Sequence, residues 1–198
     1  MVETDENLMR AVRDGDLSKL GILFDRYHRS LFDYFARMTA SRGIAEDLVQ
    51  DVFFRILKYR STFRVDSRFK AWMFHIARNA RIDYYRKQQP EAPLPENDAK
   101  AFQSPSPLPG RHLEHQEEVT LLECAMFKLP AEKREVLLLS RYQEMKYEHI
   151  ADVMGCEVNT VKVRVHRALK ELREIFLKLS SERQPCNVKK PVNNLRIM

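Results

Sequence analysis

Between Ser61 and Lys87 aromatic and basic side chains interleave. Phe63, Phe69, Phe74, His75, Tyr84 and Tyr85 alternate with Arg64, Arg68, Lys70, Arg78, Arg81, Arg86 and Lys87. Cations hold phosphates while aromatic faces accept unstacked bases, a combination that suits single-stranded DNA better than duplex. The plainer alternative is a core helix with a basic outer face, in which most of these rings are buried. A second cationic stretch follows later, where residues 158–178 carry 6 basic and 2 acidic groups. On a helix, Val161, Val165, Ala168 and Leu172 would face inward, and Lys162, Val163, His166, Arg167 and Lys170 outward, with Arg164 at the border. An apolar back and long polar front are what groove and phosphate contacts require.

Other chemistry finds little support. His112 and His115 form an HxxH near Cys124. That spacing can share a metal on a helix, yet no further ligand is evident. No acidic cluster suits a two-metal site and no glycine-rich loop could cradle a phosphate. Cys124, Cys156 and Cys186 form no CxxC pair, so neither a zinc knuckle nor a disulfide framework is indicated, and a reducing cytoplasm fits best. No catalytic, cofactor-binding or metal-ligating residue is assigned, and the chain is expected not to be an enzyme.

The elements that must position these residues are helices. Glycine is scarce, with 5 in 198 residues, and no alternating β-branched run stands out. The apolar runs are too short to cross a bilayer, so no membrane insertion is expected. Six of the nine prolines fall in 88–113. Proline lacks an amide donor and disfavours helix before it, so this stretch reads as an extended linker. The fold class is all-α: two small helical domains, 4–88 and 114–180, joined by a Pro-rich linker (89–113) and followed by a tail, 181–198, expected to lack order.

In the first domain, one or two short helices are expected around Leu8–Phe24. Others are expected over Phe24–Met38, Ile44–Tyr59 and Phe69–Lys87, with a break at Ser41–Gly43. In the second they are expected over 114–128, 131–142, 147–154 and 158–179. Pro130 suits a first helical position, and Gly155 a left-handed stop. Tyr147–Met154, a short turn and the longer helix after it form a helix-turn-helix. Net charge is +6, but residues 61–90 carry +5 and 91–130 carry −4, so separated basic blocks flank an acidic stretch. Such blocks suit a polyanion gripped at more than one place.

The helix over 44–59 has an unusual outer face. Ala45, Val49, Val52 and Ile56, flanked by Leu48 and Phe53, form its core stripe. Opposite lie Asp47, Gln50, Asp51, Phe54 and Lys58. An apolar Phe54 among acids makes sense under a protein partner, or else packs on a neighbouring helix.

Four segments in order resemble the extracytoplasmic-function (ECF) branch of the sigma-70-type RNA polymerase sigma factors: AEDLVQDVF (45–53), FKAWMFHIARNARIDYYRK (69–87), LPAEKREVLLL (129–139) and YEHIADVMGCEVNTVKVRVHRAL (147–169). The resemblance covers most of residues 8–175. It implies that Asp47, Gln50, Asp51 and Phe54 meet core RNA polymerase. It implies that the loop 61–68, with Phe63, Arg64 and Arg68, holds a base flipped from the −10 strand. Asn79, Arg81, Asp83 and Arg86 would lie near that strand, as single-stranded promoter DNA. Thr160, Lys162, Val163, Arg164, His166, Arg167 and Lys170 would contact the −35 duplex. An anti-sigma factor is a further implied partner. The chain departs from the family pattern at Asn159, Glu157 and His149, and its turn 143–146 lacks the usual glycine. The alternative is a conventional helix-turn-helix regulator, which would bind duplex alone.

Overall fold

The computed structural model describes residues 3–64, 66–88 and 113–183, with the side chains of 113–116 and 183 left aside. Among these residues lie eight α-helices and no strand. The first unit holds α1 (Asp5–Arg13), α2 (Ser18–Thr39), α3 (Arg42–Lys58) and α4 (Phe69–Gln88), with a 3-10 turn over Arg60–Thr62. The second holds α5 (Leu113–Lys128), α6 (Ala131–Leu137), which widens into a π-turn over Leu138–Tyr142, α7 (Tyr147–Met154) and α8 (Val158–Arg183).

Local chemistry explains most boundaries. Thr4 accepts from Asn7 N at 3.3 Å and caps α1, and Ser41 accepts from Ile44 N at 3.4 Å and caps α3. The Ser41–Gly43 break is therefore narrower than expected, because Ser41 alone ends the interruption and α3 begins at Arg42. The α2 helix runs unbroken through Phe24, where a division was expected, since Leu23, Leu31, Tyr34, Phe35 and Met38 make one continuous buried stripe. Pro130 stands one residue before α6, where its carbonyl accepts from Arg134 N at 2.9 Å. Gly155 ends α7 at φ 63°, as the sequence suggested. The α8 helix runs on to Arg183, past the expected end at 179. The linker residues 89–112 and tail residues 184–198 lie outside the described residues. Leu113, expected as linker, opens α5.

Inside the first unit α2 packs on α1 and α3, and α3 on α4. Inside the second, α5, α6 and α7 pack on α8. The two units also dock, α4 against α7 and α2 against α6, so one apolar core runs through both. Burying the rings of Tyr34, Phe35, Phe69 and Phe74 at its centre contributes roughly 1.5–3 kcal/mol for each large side chain.

Candidate nucleic-acid interface

The α8 face matches the periodicity reading at each position. Val161, Val165 and Ala168 are buried and Leu172 is half-buried. Lys162, Val163, His166, Arg167 and Lys170 are exposed, with Thr160 and Arg164 intermediate. Gly155 turns the chain, and Cys156 N closes the turn by donating to Ala151 O at 3.1 Å. The result is one cationic ridge along a helix whose back is packed. Of the other features weighed earlier, Cys124 and Cys156 are free and half-buried. His112 and Cys186 lie outside the described residues. Among those residues no three His, Cys, Asp or Glu side chains gather as a metal site.

On α3, Ala45, Leu48, Val49, Val52, Phe53 and Ile56 are buried. Asp47 and Gln50 are exposed, Asp51 is half-exposed, and Phe54 has 64% of its surface in solvent. Among the described residues no neighbouring helix covers Phe54. Phe24 on α2 packs edge-on to Phe53, with centroids 4.9 Å apart. Beside Gln50 a groove of about 450 Å³ runs between α2 and α3, lined in part by Phe24, His28, Phe32 and Val49. Sequence reasoning passed over this groove, because its α2 side reads as ordinary amphipathic helix.

The interleaved segment divides. Phe69, Phe74, Ile76 and Ala80 are buried, whereas Arg64, Arg68, His75 and Arg86 are exposed and Asn79 is intermediate. Phe63 departs from its expected role. Its ring is 2% exposed and packs edge-on to Trp72 and Phe69, with centroids 5.2 and 6.3 Å away. It anchors the loop from beneath and presents no face to a base. Asp83 is also engaged. Arg55, absent from the sequence-based candidates, donates from Nη1 to Asp83 Oδ2 at 2.7 Å and from Nε to Asp51 Oδ2 at 2.9 Å. Burial pulls the Arg55 pKa down, but its bonds to Asp83 and Asp51 outweigh that and raise it. One cation thus ties the outer face of α3 to α4.

Arg81 is the second departure, since its side chain is only 11% exposed. It donates to Glu135 Oε2 of the second unit at 3.4 Å, and Arg78 Nε lies 3.4 Å from the same oxygen. Tyr34 Oη donates to the other carboxylate oxygen at 2.7 Å. Burial first, then the Glu135 charge, raise the Tyr34 pKa well above its ordinary value. Burial draws the Arg81 pKa down, yet Glu135 and Tyr34 carry it above the usual value. Neither Glu135 nor Tyr34 was a sequence-based candidate, because nothing local marks a glutamate inside LPAEKREVLLL as buried.

Comparison with known proteins agrees with this arrangement. Residues 23–91 match the family model for sigma-70 region 2, and residues 120–172 that for sigma-70 region 4. The chain is 34% identical to the ECF RNA polymerase sigma factor EcfG of Rhodopseudomonas palustris, over 74% of this chain and 79% of that one. It is 30% identical to the ECF RNA polymerase sigma-E factor of Escherichia coli, over 83% and 90%. Among solved structures, it resembles the sigma factor RpoE of Bartonella quintana in complex with the anti-sigma factor NepR. That match has TM-score 0.63 and 27% identity, and covers 80% of this chain and 96% of that one. CnrH, solved with the cytosolic domain of CnrY, shares the fold at TM-score 0.68 and 23% identity, over 89% and 99%. Two family models in the right order, close relatives over most of their length and a shared fold converge: the chain belongs to the sigma-70 family, as an RNA polymerase sigma factor of the ECF branch.

Proposed function

We propose that residues 4–88 dock on core RNA polymerase and engage the −10 strand, while residues 114–180 read the −35 duplex. The observation that carries this reading is the exposed Phe54, set beside Asp47, Gln50 and Asp51 on α3. An aromatic ring ringed by acids suits a protein partner's surface, and a regulator that binds duplex alone has no need of it. On the DNA side, Thr160, Lys162, Val163, Arg164, His166, Arg167 and Lys170 form the −35 surface. Arg64, Arg68, Asn79 and Arg86 offer accessible contacts for the −10 strand, and Phe63 supports their loop. Arg81 would join them only after leaving Glu135, and Asp83 positions the end of α4 through Arg55.

The chain performs no hydrolysis in this reading. Flipping a base costs a few kcal/mol, offset by contacts to the extruded base. Among the described residues no helix is long and apolar enough to cross a membrane. Work on promoter DNA calls for a cytoplasmic protein. An anti-sigma factor is proposed as a partner, by analogy with the Bartonella complex.

Reconstitution with purified core polymerase tests the proposal. Core should be recovered on the tagged wild-type chain, and run-off transcription should map discrete starts. Phe54→Ala should weaken recovery by about 2 kcal/mol, the scale of a central aromatic anchor, without shifting the thermal midpoint. Unchanged recovery by Phe54→Ala together with Asp51→Ala would contradict this docking face.

A further inference from the structure

The α1 helix carries none of the residues assigned to polymerase or DNA, and it precedes residues 23–91, the stretch that matches region 2. Yet it reaches both ends of the loop assigned to the flipped base. It packs on the 3-10 turn over Arg60–Thr62, after which the loop begins, and on α4, where the loop ends.

The start of α4 is poorly supplied by its own sequence. Helix starts favour acids in the first turn and a side-chain acceptor at the cap. The first turn of α4 holds no acid. Arg68 stands at the cap, where its carbonyl accepts from Trp72 N at 3.1 Å, and a guanidinium has no acceptor to offer. Arg68 and Lys70 also set two cations at the positive end of the helix dipole. Cations there suit a DNA strand, and acids in the same turn would repel its phosphates.

Glu6 supplies the missing anion from another helix. Its Oε1 accepts from Phe69 N, the first amide of α4, at 3.4 Å. Glu6 is half-buried, so the loop keeps two exposed arginines, Arg64 and Arg68, against one exposed acid, Asp66.

The place of Glu6 is itself fixed. Leu8, Met9 and Val12 bury the apolar side of α1. Asp5 accepts from Arg26 Nη1 at 2.6 Å and from the Tyr27 hydroxyl. Glu3 O accepts from the same arginine nitrogen at 2.9 Å. Tyr27 packs edge-on to Phe69, with centroids 5.4 Å apart. Phe69 is thus held through its ring by α2 and through its amide by α1, and the Phe63 ring that anchors the loop leans on it.

We propose that Glu6 is a positioning residue for −10 engagement, a role that rests on the proposed function. Through the Phe69 amide it fixes where α4 begins, and so the shape of the loop that captures the base.

The full chain with core polymerase tests this. Holoenzyme is titrated into labelled single strands from the mapped −10 region, intact or with one abasic site at each position in turn. Glu6→Ala should bind the intact strand about fivefold more weakly than wild type, the scale of one lost cap. Glu6→Gln keeps an acceptor and loses the charge, and should bind about twofold more weakly. On the abasic strand that costs wild type most, Glu6→Ala and wild type should bind alike, because the captured base is gone. Core recovery and −35 duplex binding should not change. A variant that is merely unstable would lose equally on intact and abasic strands, and that outcome overturns the proposal. So does wild-type affinity of Glu6→Ala for the intact strand, or a Glu6→Gln variant no stronger than Glu6→Ala. If wild-type holoenzyme does not prefer the −10 strand to a scrambled one, it is the functional reading that fails. If it does and Glu6→Ala matches it, only the role of Glu6 fails.

Discussion

The two cationic helices display their charges in opposite ways. On α8 the ridge from Lys162 to Lys170 faces solvent, and its apolar back is spent on its own unit. On α4 the exposed cations sit near the ends, at Arg86 and Lys87 and at Arg68 just before the first turn, while Arg78 and Arg81 point into the other unit. One helix leaves its charged side open to solvent and the other has part of its charged side already paired. The difference teaches that amphipathic periodicity reports which side of a helix is apolar, and not what meets its polar side.

The largest expected effect sharpens the α8 half of this contrast. Val165→Asp places a carboxylate in a packed back and should cost about 4 kcal/mol or more, read as the shift in a urea midpoint. Val163→Asp, two residues away on the ridge, should stay within about 0.5 kcal/mol of wild type yet weaken −35 duplex binding by the holoenzyme. Similar stability losses for the two would break the inside–outside assignment.

Next comes the contact between the two units. Arg134 is buried and donates to the carbonyls of Met126, Phe127, Leu129 and Met38. Arg134→Ala strands those acceptors and should cost about 3 kcal/mol. Amide exchange should show α5 and α6 loosening first. A loss confined to contacts with α2 would mean that the arginine serves docking and not its own unit.

A smaller effect separates phosphate contact from base reading. Lys162→Ala should lower the salt slope of holoenzyme binding to −35 duplex by about 0.9, by a similar amount on every sequence tested. A sequence-dependent loss would move Lys162 to the base edges. The smallest effect lies in the turn before α7. Glu144 adopts φ 50°, a left-handed conformation costly for a residue with a Cβ. Glu144→Gly should stabilise the chain by about 1 kcal/mol, measured as a raised thermal midpoint. No gain would mean that the Glu144 side chain offsets its backbone strain.

Much of this molecule is legible from local residue types. The stop at Gly155 and the sides of α3 and α8 follow from helix geometry acting on one segment at a time. The turn without glycine was visible too, and Glu144 shows how the chain manages it. The burial of Phe63 could not be read, because a loop aromatic beside arginines has the same composition whether it faces outward or anchors the loop. Trp72 and Phe69, brought alongside by the fold, decide which.

The sequence by itself determined that the chain is helical, roughly where most of its helices run, and which sides of α3 and α8 are apolar, because those properties depend on neighbours three or four residues apart. Only the tertiary structure decided that Glu135 is buried, that Arg78 and Arg81 share it, and that Arg55 ties Asp51 to Asp83. Apart from Arg55 and Asp51, one helical turn from each other, these pairs join residues 28 to 57 positions apart. Their energies depend on desolvation and distance between helices, which no single segment encodes.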